Sequence, residues 1–151
     1  MPAASTPIEP PGRGLLDGKR VVIDYCHNVA GLEAMADFVR RMDADRRVGL
    51  IAMPGDRLDD DIRAFGTLAG KTFDELVIRE DVNRRGRAEG EVAGMLAAAA
   101  RAAGLPEERV TIVLEELEAA REAVGRSGRN DLTVLFVDKP AQVYQTLVGR
   151  A

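Results

Sequence analysis

The stretch V-V-I-D-Y-C-H-N, residues 21–28, opens as a buried strand and closes in polar and reactive side chains. Three β-branched residues in a row suit a strand covered on both faces, as in a parallel sheet. The same stretch brings the chain's single cysteine and single histidine together at the end of that strand. In open α/β sheets ligands bind beyond the carboxyl ends of the strands. Asp24, Tyr25, Cys26, His27 and Asn28 are therefore expected on the lip of a site.

From Lys19 onward the pattern alternates. Strand-like runs fall at Val21–Asp24, Val48–Met53, Glu75–Arg79, Val110–Leu114 and Leu132–Val137. Helical periodicity fills the gaps, at Gly31–Met42, Asp59–Ala69, Glu89–Ala103 and Leu117–Ser127, and closes the chain at Ala141–Val148. In the third helix Val92, Leu96 and Ala99 form one apolar stripe, stopped by Gly104 and Pro106. Strands joined by crossovers of helical length predict an α/β fold, a Rossmann-like open and mainly parallel sheet with helices on both faces. Residues 1–12 hold four of the seven prolines and read as an extended arm or linker remnant, with one domain over 13–151.

Composition narrows the function. The 151 residues are 46% apolar and 30% charged, enough for one core. The net charge of −4, from 25 acids against 21 scattered bases, argues against nucleic acid as a partner. One cysteine forms no internal disulfide and suits a reducing compartment, and one Cys with one His is too few for a zinc site. Neither a membrane span nor a signal peptide is visible, so the expected location is the cytoplasm.

Three further segments compete for a chemical role. G-T-L-A-G-K-T at 66–72 imitates a phosphate-binding loop, but only three residues separate Gly66 from Gly70 where that loop has four. It also leads from helix to strand rather than from strand to helix. Gly70 reads instead as a helix C-cap, with Lys71 complementing the dipole. M-P-G-D-R-L-D-D-D at 53–61 and R-E-D-V-N-R-R-G-R at 79–87 each follow a strand. Singly they read as a turn with an acidic helix start and as a solvated charged loop, just as Asn28 reads as a helix cap. Together, three strands releasing polar clusters at one sheet edge make a cleft. Cys26 reads as a small hydrophobe rather than a nucleophile.

The order P-G-R (11–13), V-V-I-D-Y-C-H-N, P-G-D-R, R-E-D…R-G-R and G-E-V-A resembles the C-terminal domain of Mur-type amide ligases, and most of all the cyanophycin synthetases among them. The resemblance covers essentially residues 10–150. It implies the C-terminal lobe of an ATP-dependent amide ligase, closing over a central P-loop domain supplied in cis or in trans. There a carboxylate becomes an acyl phosphate that an amine attacks. By matching position, Arg13 would contact the nucleotide or its phosphates, Asp24 would hold the ribose, and His27 and Asn28 would line the closed interface. ATP and Mg2+ would be held mainly by the central domain, and no catalytic or metal-binding residue is assigned to this chain.

Arginine is the amine implied by the cyanophycin synthetase likeness. On physical grounds Asp56, Glu80 and Asp81 are candidate guanidinium acceptors. Arg57, Arg85 and Arg87 in the same loops complete the candidate substrate set. Three positions depart from the usual pattern: Cys26 for alanine, Val29 for proline, and Gly14 near a common asparagine. With no P-loop or ATP-grasp domain in these 151 residues, the isolated chain is expected to be inactive, whether it is a fragment or a stand-alone remnant. Two alternatives stay open. One is a non-catalytic interaction domain; the other is a receiver-like signalling module, suggested by D-L-T-V-L-F-V-D-K-P at 131–140. Homo-oligomerisation also stays open.

Overall fold

A computed structural model describes residues 6–8 and 18–148. Six strands form one sheet: β1 (Thr6–Ile8), β2 (Arg20–Asp24), β3 (Arg47–Ile51), β4 (Glu75–Ile78), β5 (Val110–Ile112) and β6 (Leu132–Phe136). Their spatial order is β1-β2-β6-β3-β4-β5. The five strands expected from the sequence are all parallel, and β1 adds antiparallel to the free edge of β2. Residues 6–8 of the proline-rich start are thus extended and lie on the outer rim of the sheet.

Among the described residues five α-helices flank the sheet: α1 (Val29–Arg41), α2 (Asp59–Thr72), α3 (Glu91–Ala102), α4 (Glu116–Gly125) and α5 (Pro140–Val148). Side chains alternate along each strand, and the two faces build two cores. One face packs Val22, Leu76, Ile78, Val134 and Phe136 against α1, α2 and α3. The other packs Val21, Ile23, Leu50, Val77 and Leu135 against α4 and α5. The last strand, β6, is inserted between β2 and β3. The loop that follows β6 therefore rises from the middle of the sheet.

The segment imitating a phosphate-binding loop is the last two turns of α2. This helix runs to Thr72 and is capped at Phe73, so Gly70 lies inside it and is not its C-cap. Gly66 and Gly70 stand one turn apart, facing the alanine-rich α3. A Cβ on Gly66 would come within 2.8 Å of both Leu96 O and Ala99 Cβ, and one on Gly70 within 2.8 Å of the Ala100 backbone. The two helices approach this closely because side chains are absent on one side and minimal on the other. The apolar stripe of α3 accordingly runs through Val92, Ala93, Leu96, Ala97 and Ala100.

At the amino edge of the sheet Glu75, nearly buried, accepts from Arg46 Nη1 at 2.9 Å and pairs with Arg126. Arg46 also reaches Asp131 at 3.2 Å. These contacts join the starts of β3, β4 and β6 to the end of α4.

Gly66→Ala sets two effects against each other. Alanine gains about 1 kcal/mol of helix propensity, but the new methyl meets backbone in a close-packed seam, where overpacking costs about 1–3 kcal/mol. The expected net result is a loss of up to about 2 kcal/mol in urea unfolding with an unchanged slope. A gain in stability would mean that the α2–α3 seam opens freely.

Candidate functional site

Parallel strands deliver their following loops to the same side, and four of these loops meet. A cavity of about 390 Å³ lies beyond the carboxyl ends of β2, β6, β3 and β4. Tyr25 and His27 enter it from the loop after β2, and Pro54, Asp56 and Arg57 from the loop after β3. Asp81, Val82 and Asn83 come from the loop after β4, and Asp138 from the loop after β6.

The β2 loop mixes structural and open groups. Asp24 is buried, its Oδ1 accepting from Tyr25 N at 2.8 Å, and it does not line the cavity. Asn28 is the N-cap of α1, its Oδ1 accepting from Gly31 N at 2.7 Å. Cys26 is largely shielded, and burial pushes its thiol up to about 11 from an ordinary 9.0, consistent with a small hydrophobe. The Tyr25 and His27 rings lie 4.8 Å apart between centroids. His27 lines the cavity, and its Nδ1 is buried without a hydrogen-bond partner.

The β3 and β4 loops are locked together by backbone. Gly55 N donates to Asn83 O at 2.6 Å, and a Cβ on Gly55 would stand 2.2 Å from Arg84 O, so only glycine fits. Arg87 completes the lock. It donates to Gly55 O and Arg57 O, each at 3.0 Å, and pairs with Asp59 at 2.7 Å and Glu91 at 2.8 Å. With its donors engaged in this way, Arg87 holds the two loops in place and does not line the cavity. Glu80 is likewise committed elsewhere: its Oε2 accepts from Gly90 N at 2.6 Å and it faces a neighbouring cavity. Arg85, with φ of 48°, stays outside the cavity but lies 3.8 Å from Asp56.

Of the residues expected from the sequence, the structure brings His27, Asp56, Arg57 and Asp81 into one cavity. Asp24 and Asn28 are local backbone acceptors outside the cavity lining, and Glu80, Arg85 and Arg87 do not line it either. Arg13 lies outside the described residues. Sequence reasoning missed Asp138, which enters through the D-K-P turn at 138–140. There Glu116 at the start of α4 accepts from Asp138 N at 2.9 Å and Lys139 N at 3.2 Å. It also missed Arg79, the buried cation behind that turn. The signal available was a charged residue directly after the apolar run Leu76–Ile78.

Asp81 and Asp138 both stand in the cavity wall, and Asp81 Oδ1 accepts from Asn83 N at 2.8 Å. Burial and the neighbouring Asp138 hold the Asp81 carboxyl above the usual carboxylate range, partly offset by its bond from Asn83 N and by Arg79. No group of three or more His, Cys, Asp or Glu among the described residues is placed to hold a metal ion. No described helix is long and apolar enough to cross a membrane.

Against this geometry the comparisons are direct. The family model described as Mur ligase, glutamate ligase domain matches residues 13–137. The chain belongs to that family. Curated relatives include a cyanophycin synthetase of Geminocystis herdmanii, 39% identical over 129 residues, covering 83% of this chain and 14% of the relative. Another, from Crocosphaera subtropica, is 34% identical over 119 residues, covering 76% of this chain and 13% of the relative. The chain thus spans about a seventh of the curated relatives it matches. Among solved structures, a UDP-N-acetylmuramoyl-L-alanyl-D-glutamate–2,6-diaminopimelate ligase superposes with a TM-score of 0.75 at 15% identity, covering 97% of this chain and 31% of that one. A Mycobacterium tuberculosis folylpolyglutamate synthase superposes at 0.64 and 22% identity, over 95% of this chain and 33% of that one. At such identities the likeness concerns the Mur ligase C-terminal fold.

Two outcomes are expected. With the Cys26 thiol near 11, its thiolate fraction at neutral pH is about 100-fold below that of an ordinary thiol. Iodoacetamide should therefore label folded protein about 100-fold more slowly than urea-unfolded protein, and comparable rates would refute the shielding. The second concerns Asp81. The folded chain holds its proton more tightly than the unfolded chain, so the associated stability is full at acid pH and is lost as pH rises through the raised value. Asp81→Asn keeps the acceptor for Asn83 N. It should be more stable than the parent at neutral pH, with the difference shrinking toward pH ~4, as thermal melts across pH would report. A pH-independent difference would count against the raised value.

Proposed function

We propose that this chain is the closing lobe of an ATP-dependent acid–amino-acid ligase of the cyanophycin synthetase kind, with arginine as the incoming amine. The observation that carries the reading is the convergence of four strand-end loops on one acidic cavity, within a chain whose curated relatives are cyanophycin synthetases. In this reading a central P-loop domain, in cis or in trans, holds ATP and Mg2+. When bound, ATP supplies the phosphoryl group that activates the acceptor carboxylate.

The residues of this chain bind and orient. Asp56, Asp81 and Asp138 give the cavity a negative wall that suits a guanidinium, whose planar fork pairs with carboxylates. The Tyr25 ring, 52% exposed, offers a face on which a cation can rest. The His27 ring lines the same cavity beside Tyr25. Asp24 and Arg13 are assigned to the nucleotide side through the family pattern. Leu58 at 71% exposure and Val82 at 92% stand at the same sheet edge as Tyr25. They form an apolar rim against which a central domain would close and exclude water from the amine.

The test is reconstitution with a separately expressed P-loop domain, varying ATP and arginine independently. The chain alone should neither hydrolyse ATP nor form amide bonds, because phosphoryl transfer depends on a phosphate-positioning loop. In the reconstituted enzyme Asp56→Ala should raise the apparent KM for arginine more than that for ATP, and Asp24→Ala should act through ATP. Each loses a contact worth about 1–3 kcal/mol, roughly a five- to 150-fold effect. Turnover by the chain alone would overturn the lobe reading. Equal effects of Asp56→Ala on both substrates would overturn the amine assignment.

A further inference from the structure

Arg79 is 3% exposed, the most buried charged side chain among the described residues, and it has no place in the site as read so far. It follows β4 and lines a second cavity, of about 270 Å³, which shares Val82 and Asp138 with the first. Its Nε and Nη2 donate to Phe136 O at 3.2 and 3.1 Å. Its Nη2 also reaches Asp138 Oδ1 at 3.5 Å, and Nη1 meets Glu116 Oε1 at 3.2 Å. Glu116 in turn accepts the backbone N–H groups of Asp138 and Lys139. The backbone that carries Asp138 and the cation that faces its carboxylate are therefore tied to one another. Asp138 faces the first cavity together with Asp81, so the placement of its carboxylate sets the negative charge that Asp81 meets there. The other charged or titratable groups around them are Glu80 after β4, Glu115 and Glu116 at the start of α4, Lys139 before α5, Asp56 and Arg57 after β3, and Tyr25 and His27 after β2.

We propose that Arg79 is a positioning residue for the amine site: acting through Asp138, it sets the placement and the charge of the Asp81–Asp138 pair that a cationic substrate meets. The inference rests on the reading of the first cavity as the amine site. Only a fork of fixed donors spans Phe136 O, Asp138 and Glu116 at once, so lysine would keep the charge but lose part of the geometry.

The experiment is a carbon-13 carboxyl titration of Asp81 in the full chain. Arg79→Met should move the Asp81 midpoint up by about half a pH unit or more, because a neighbouring cation is lost. Arg79→Lys should recover most of that shift. Glu116→Gln should move the midpoint down, since a negative charge is lost and the guanidinium is freed from a competing carboxylate, while the single amide oxygen keeps one of the two backbone N–H groups. A purely structural role produces no such pair of opposite shifts. An unchanged midpoint in Arg79→Met, or an upward shift in Glu116→Gln, overturns the proposal. If Arg79→Met does not fold, the sign of the Glu116→Gln shift decides it. Calorimetry with L-arginine, on the chain combined with a P-loop domain, tests the underlying reading separately. Absence of binding there would overturn the amine site, while the titrations would still decide whether Arg79 controls the carboxyl pair.

Discussion

The buried guanidinium of Arg79 is the constraint on which the carboxyl edge depends. A charge removed from water is tolerated only when paired and hydrogen-bonded, and removing one partner of such a group typically costs about 3–5 kcal/mol. Arg79 meets that demand with a carbonyl of β6, a carboxylate at the start of α4 and another after β6. Its own N–H donates to Ile51 O at the end of β3. One residue thus fastens the ends of three adjacent strands to a helix on the far face, and the cavity is built above that fastening.

The two edges of the sheet divide the labour. At the amino edge Glu75, Arg46, Arg126 and Asp131 pair with one another, which binds strands to helix and leaves little for a ligand. At the carboxyl edge some charges are likewise committed, with Arg87 clasping two loops and Glu80 holding Gly90 N. What faces the cavity there is Asp56 between Arg57 and Arg85, Asp81 and Asp138, and the Tyr25 and His27 rings. Rigid loops that already hold their polar groups in place suit a binding lobe, because binding then costs little reordering.

Individual residues mark the limit of legibility. Asn28 has the spacing of a helix cap and is one, since capping is decided within four residues of chain. Glu80 and Arg87 stand in a charged loop whose composition matches a binding loop equally well. Their commitment to Gly90, Gly55 and Arg57 depends on how two loops from different strands meet, which no local pattern carries. Gly70 is similar: Gly followed by Lys suits a helix end, but the helix continues because α3 demands a residue without a side chain there.

The sequence by itself determined the parallel α/β fold, the strand and helix segments and the loops that carry chemistry. Those follow from side-chain periodicity and from the reach of helical crossovers, both local properties. Its ordered motifs also carried the family, matched over residues 13–137. Only the tertiary structure decided that β6 enters between β2 and β3. That insertion brings Asp138 beside Asp81, gives Arg79 a carbonyl to reach across β3, and turns separate polar clusters into one cavity. Strand order is fixed by the packing of two helical layers on opposite faces, an energy summed over the whole core and written in no single stretch of chain.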